Sequence, residues 1–311
     1  MPDDLVPASA AGMGSAEQEL AALVLNGVTS EHSKRAYGKG LAQFFAWVKE
    51  RGPQPFSKAL VQQYRAWLVE QNLAPATVNL RLSPLRKLAR EMADNGLLSP
   101  ESAAGIGRTK GIKQQGVRAG NWLMREQASD LLNAPDAGTL KGKRDRAMLA
   151  LLVGCGLRRA ELLRLNVDQI QQREGRWVIP DLVGKGNRLR TVPVPAPVKA
   201  RVDEWLQAAG IGEGRIFRPV NKGGRVTGDA IEDEKAVWQV VLKYARATAL
   251  GKLSPHDLRR TCAKLCRKAG GDLEQIQLLL GHASIQTTER YLGTNQNLAA
   301  AVNDALGLDM E

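Results

Sequence analysis

The chain is poor in several residue types, and each shortage excludes something. It holds three cysteines in 311 residues, Cys155, Cys262 and Cys266. Three cysteines build no disulfide framework, and Cys262 and Cys266 lack the two further ligands a zinc site needs. Both fall in a helical pattern beside Leu265, so they read as buried thiols in a reducing cytoplasm. No apolar run approaches the roughly eighteen residues that would span a bilayer, so no membrane-crossing helix is expected. The first sixteen residues carry Asp3 and Asp4 but neither Lys nor Arg. They lack the basic start of a secretory signal and read as a disordered leader over 1–17. The sequence shows neither an Asp/Glu metal cluster nor a Gly-Lys-Ser/Thr phosphate loop, so the expected chemistry uses no metal, no nucleotide and no other cofactor.

Positive charge is abundant. Lys and Arg total 44 against 32 Asp and Glu, a net +12. Residues 1–110 hold 13 basic against 10 acidic side chains, and residues 111–311 hold 31 against 22. The excess therefore sits mainly in the later part. It favours a polyanionic partner, nucleic acid or an anionic membrane surface, over a merely solvated basic surface.

The apolar spacing from Gln18 to about Gly96 is helical throughout. Leu41, Phe44, Phe45 and Val48 recur at three and four, then Leu60, Tyr64, Trp67 and Leu68, then Leu82, Leu85, Leu88 and Ala89. This predicts an all-α module over 18–104, with four helices in its first eighty or so residues. Two polar clusters on it, one with Lys34 and Arg35 and one with Asn79, Arg81 and Arg86, are candidate DNA contacts. Residues 105–120, rich in glycine, with Arg108, Lys110, Lys113 and Arg118 and no acid, read as a flexible basic linker. The second domain, 121–311, mixes helices with two strand-like runs, Arg176 to Val183 and Leu189 to Val194, around a Gly184-Lys185-Gly186-Asn187 turn. The expected fold class is mainly α with a small antiparallel β-sheet.

With three histidines and four tyrosines, placement is informative. His256 and Arg259 share a face of a helix that Pro255 would open. His282 follows in Leu280-Gly281-His282, with Tyr291 nine residues later. Upstream lie Gly156-Leu157-Arg158 and Glu161, and Lys185 sits in the turn. Each signal alone is weak. A histidine at a helix start is usually a cap, a helical tyrosine usually half-buried structure, and Arg158 or Lys185 one more surface charge. Together they supply what metal-free phosphodiester cleavage needs. Guanidinium groups hold non-bridging oxygens bidentately, a hydroxyl forms a covalent intermediate, and an amine or imidazole moves protons near neutral pH.

At these residues the sequence closely resembles the tyrosine recombinase family, which includes phage integrases, Xer recombinases and Cre. The resemblance runs from about Gln18 to Ala305. The family's Gly-Leu-Arg signature is met by Gly156-Leu157-Arg158 with Glu161, its hairpin lysine by Lys185, its His-x-x-Arg by His256 and Arg259, its Leu-Gly-His by His282, and its nucleophile by Tyr291. The resemblance implies a core-binding domain followed by a catalytic domain. Tyr291 would attack the scissile phosphate, leaving a 3′-phosphotyrosine and a free 5′-hydroxyl. Arg158, Arg259 and His282 would stabilise the phosphorane, Lys185 would protonate the leaving oxygen, His256 would act as base, and Glu161 would buttress Arg158. It further implies double-stranded DNA with a specific recombination site as substrate, and a tetramer on two duplexes passing through a Holliday junction. An accessory DNA-bending protein or partner recombinase would complete the assembly, which would be nucleoid-associated. The apolar tail from Leu298 to Leu308 would dock into a neighbouring protomer, with folding back in cis as the alternative. A type IB topoisomerase, a domesticated DNA-binding regulator and a hairpin-forming protelomerase share parts of this pattern. The Leu-Gly-His spacing, the core-binding domain and the intact Tyr291 favour recombination.

Overall fold

The computed structural model describes residues 14–113, 121–184 and 188–292, with the side chains of His32, Arg290 and Tyr291 outside the description. Lys185 and the tail beyond Leu292 also lie outside the described residues. The chain divides into two compact units, 1–116 and 117–311.

Five helices build the described part of the first unit: α1 (Ser15–Asn26), α2 (Glu31–Lys49), α3 (Lys58–Glu70), α4 (Pro75–Asp94) and α5 (Pro100–Gly107). Their starts follow from local chemistry. Ser30, Ser57 and Ser99 each accept a hydrogen bond from a backbone N–H of the first turn, and Pro75 and Pro100 open α4 and α5. The apolar stripes converge on one core in which Leu41, Tyr64, Leu68, Leu82 and Leu85 are fully enclosed. Phe44 and Trp47 meet the Tyr64 ring edge-on, with centroids 5.1 and 5.2 Å away.

The structure departs from the sequence reading at both ends of this unit. Helix α1 begins at Ser15, inside the expected leader, where Glu17 accepts the Gly14 amide at 2.8 Å. At the other end, the expected flexible linker starts as ordered chain. Gly105 and Gly107 belong to α5, Ile106 is fully buried, and Ile112 packs on the same core. Asn79 clasps Ile112 by donating to its carbonyl (2.9 Å) and accepting from its amide (2.8 Å), while Arg86 donates to the Thr109 carbonyl at 2.7 Å. Burial of Ile106, packing of the partly buried Ile112 and these backbone bonds outweigh the freedom that the glycines suggest.

Asn79→Ala should therefore loosen residues 109–113, at a cost of about 1–2 kcal/mol for two lost hydrogen bonds. Trypsin should then cut after Arg108 or Lys110 severalfold faster. Unchanged cleavage kinetics would show that Asn79 does not hold this segment.

The second unit contains α6 (Arg125–Asn133), α7 (Leu140–Gly154), α8 (Arg159–Arg164), β1 (Gln171–Arg173), β2 (Arg176–Val183), β3 (Leu189–Pro193), α9 (Ala196–Ala209), α10 (Lys235–Ala247), α11 (Pro255–Lys268), α12 (Leu273–Leu280) and α13 (Ile285–Leu292). Helix α7 runs through the middle, buried at every residue from Ala147 to Val153. The three strands form one antiparallel sheet in the order β1-β2-β3. Strand β1 escapes sequence reading because Gln171, Gln172 and Arg173 are all polar and exposed. It forms because Glu174 and Gly175 both take positive φ (49° and 74°), the geometry of a tight two-residue hairpin. Between β2 and β3 the register pairs Leu182 with Arg190 and Val183 with Leu189.

Candidate active site

The chain reversal at Gly156 sets the first element of the candidate site. Gly156 has φ +59°, and a Cβ there would stand 2.9 Å from Leu280 Cδ2 and 3.3 Å from Cys262 Sγ, so glycine is required. Leu157 is then buried and Arg158 caps α8. Glu161 reaches back to accept from the Arg158 amide (2.8 Å) and from its Nη1 (2.6 Å). The Arg158 side chain remains 31% exposed.

Ser254 and Asp257 form a reciprocal cap at the start of α11, with Pro255 in the first turn. This orients His256 and Arg259. Arg259 is almost wholly buried and donates to the carbonyls of Gly156 and Leu280, binding the first element to the end of α12. Helix α12 stops at Gly281 in the left-handed conformation (φ +61°), which turns the chain into His282. His282 Nδ1 lies 3.0 Å from the hydroxyl of Thr288, a fully buried residue of α13. Tyr291 belongs to the same helix.

Three short stretches far apart in sequence thus meet. Their proximity perturbs the titratable groups. Desolvation lowers the His282 pKa to about 4, and Arg259, Arg158, His256 and Arg190 push in the same direction. Partial desolvation also lowers His256, helped by Arg260 and Arg259 and opposed by Asp257. Both imidazoles are therefore biased toward the neutral form. Burial alone would raise the Glu161 carboxyl. The hydrogen bond and charge of Arg190, followed by the bonds and charge of Arg158, override burial and hold it at about 2.

Arg190 is the residue that motif reading misses. It donates from Nη1 and Nη2 to the two Glu161 oxygens (3.0 and 2.7 Å) and from Nε to the Leu279 carbonyl (3.0 Å). One signal was available: in β3, position 190 alternates onto the same face as the buried Val192, an unusual place for a charge.

The candidate DNA contacts belong to the first unit. Lys34 pairs with Glu31 at 2.9 Å, Arg35 is exposed, Arg81 is half-buried, and Asn79 and Arg86 serve the clasp described above. Tyr244, the next tyrosine in line as a nucleophile, is buried and donates its hydroxyl to Asp145 at 2.9 Å. Burial, then the Asp145 charge, raise its pKa. The three cysteines are free thiols. Among the described residues no group of His, Cys, Asp or Glu is placed to hold a metal ion, and no helix is long and apolar enough to cross a membrane.

The profile of the phage integrase family matches residues 121–297, and that of its N-terminal SAM-like domain matches residues 17–96. The chain belongs to the phage integrase family and is a tyrosine recombinase. The recombinase is 30% identical over 283 residues to tyrosine recombinase XerD of Pseudomonas putida, covering 88% of this chain and 91% of that one. It is 32% identical over 288 residues to tyrosine recombinase XerC of Alcanivorax borkumensis, covering 88% and 87%. Its fold resembles that of the XerH site-specific recombinase in a post-cleavage complex with palindromic difH substrate (TM-score 0.67, 19% identity, 90% and 86% coverage). It also resembles a lambda integrase dimer bound to a COC' core site (TM-score 0.63, 17% identity, 89% and 92% coverage). The expected fold class, mainly α with a small antiparallel sheet, is the one observed.

Glu161 also gives the site a pH signature. Its carboxyl sits at about 2 when folded, against 4.5 as the ordinary value. A depressed pKa contributes stability above pH 4.5 that is lost as pH falls toward 2, on the order of 3 kcal/mol for such a buried group. Thermal melts across that window should show the parent losing stability more steeply than Glu161→Gln. Parallel profiles would mean that the carboxylate is not held as described.

Proposed function

We propose that this recombinase cuts and rejoins double-stranded DNA at a specific site through a 3′-phosphotyrosyl bond to Tyr291, without metal or nucleotide. The observation that carries the reading is the convergence of Arg158, Arg259, His256 and His282, with Arg259 tying Gly156 to Leu280 and Thr288 linking His282 to the helix of Tyr291. Arg158, Arg259 and a neutral His282 donate to the phosphorane oxygens, the interaction that contributes most in such sites. His256, biased neutral, accepts the Tyr291 proton. Lys185 protonates the departing 5′-oxygen, and Glu161 buttresses Arg158. The phosphotyrosine conserves the bond energy, so a 5′-hydroxyl from a second duplex reseals the strand. The first unit is the core-binding domain, and four protomers on two duplexes exchange strands through a Holliday junction, with an accessory DNA-bending protein or a partner recombinase where the site requires one.

The test begins by selecting the bound site from a pool of genomic fragments with the intact chain. A nicked suicide duplex carrying that site should then yield a denaturant-stable protein–DNA adduct. Adduct formation should persist in excess EDTA and without nucleotide. An absolute magnesium requirement would sink the metal-free mechanism.

A further inference from the structure

We infer that Arg190 is a positioning residue for strand cleavage: it holds Glu161 so that Arg158 stays available to the phosphate, and it ties the hairpin strand to the His282 turn. This rests on the reading just given and deepens it. Glu161 has two oxygens, and Arg190 engages both while Arg158 takes one by its side chain. The two arginines differ in reach: the Arg190 side chain is 6% exposed and that of Arg158 is 31% exposed. A buried carboxylate facing a single guanidinium pairs with it bidentately, using the same fork of N–H groups that a phosphate needs. Arg190 prevents that capture. It compensates the Glu161 charge from a buried position and leaves most of the Arg158 donors for substrate.

Its third nitrogen acts on the other side of the site. The Leu279 carbonyl that Arg190 binds adjoins the Leu280 carbonyl that Arg259 binds, and Gly281 follows immediately. A Cβ on Gly281 would lie 2.9 Å from Arg190 Cδ, so the turn into His282 is packed on this side chain. At Gly184 a Cβ would meet Arg190 Nη1 at 3.0 Å and Arg158 Nη1 at 3.3 Å. One arginine therefore braces the hairpin, the α8 start and the α12 end.

The experiment compares Arg190→Met, Arg190→Lys, Glu161→Gln and the Met/Gln double variant on the nicked suicide duplex described above, with site affinity measured separately. Arg190→Met should bind the site as the parent does yet cleave ~10²-fold more slowly, the size typical of losing one transition-state donor. Arg190→Lys, which keeps the charge and loses the fork, should fall between them. The decisive arm is the double variant. Removing the carboxylate frees Arg158, so the double variant should cleave faster than Arg190→Met despite its extra substitution. A double variant no faster than Arg190→Met, or a parental rate in Arg190→Met, would overturn the inference. The pair also reads out without activity: Glu161→Gln should lower the melting temperature of the parent and raise that of Arg190→Met, and failure to raise it overturns the inference too. A parent chain that forms no adduct would instead count against the cleavage reading, leaving the melting comparison to decide on Arg190.

Discussion

Tyr291→Phe is expected to bind the selected site with parental affinity and to give no covalent adduct on the nicked suicide duplex. The substitution removes one oxygen and keeps the ring, so helix α13 and its tie to His282 through Thr288 should survive. What disappears is the proposed nucleophile, and without it no phosphotyrosine can form. The other tyrosines offer no replacement. Tyr64 lies fully inside the first unit's core, Tyr37 packs against that core, and Tyr244 is held by Asp145 and Lys243. Adduct and affinity must be measured together, on a denaturing gel and by mobility shift. Loss of both would report a folding defect and leave Tyr291→Phe uninformative as a catalytic variant, which a melting curve detects. A denaturant-stable adduct in a folded Phe variant would sink the assignment.

How much of this was legible beforehand depends on whether a feature is local. Arg158, His256, Arg259 and His282 could be singled out as candidates because each lies in a short motif with its own turn or cap: the glycine reversal before α8, the Ser254–Asp257 cap of α11 and the Gly281 stop of α12. Strand β2 was located at the residues observed, Arg176–Val183, because its aromatic and β-branched residues outweigh its polar ones. Features that need a distant partner were not legible. Strand β1 is polar and exists through its pairing with β2. The segment 105–112 looks flexible until Asn79 and Arg86, more than twenty residues earlier, supply its backbone partners. Arg190 is one arginine among many in the sequence, and its meaning comes from a carboxylate 29 residues away and a carbonyl 89 residues away. Asn79 shows how a distant partner changes a local reading. Its position among basic residues suggested a DNA contact, whereas both its side-chain functions are committed to Ile112.

Lys185 and Arg259 should respond differently to a change of leaving group. If Lys185 protonates the departing 5′-oxygen, its loss matters only while that oxygen is a poor leaving group. Lys185→Ala should cleave ordinary DNA ~10²- to 10⁴-fold more slowly, the range for losing general acid catalysis. A bridging 5′-phosphorothiolate departs as a much less basic thiolate and needs no proton, so it should restore most of that rate. Arg259→Ala removes charge stabilisation on the phosphorane, and it also removes the bonds that join Gly156 to Leu280. Neither loss depends on the leaving atom, so sulfur should rescue this variant far less. Gly184, its chain neighbour, lies close to both arginines: a Cβ there would stand 3.0 Å from Arg190 Nη1 and 3.3 Å from Arg158 Nη1. The rival role, a phosphate contact on a basic hairpin, predicts weaker binding with a shallower salt dependence and no selective recovery with sulfur. Single-turnover rates for both variants on both substrates separate the two. Equal rescue of Lys185→Ala and Arg259→Ala would leave the acid unassigned, with His256, one turn before Arg259 at the start of α11, the next candidate.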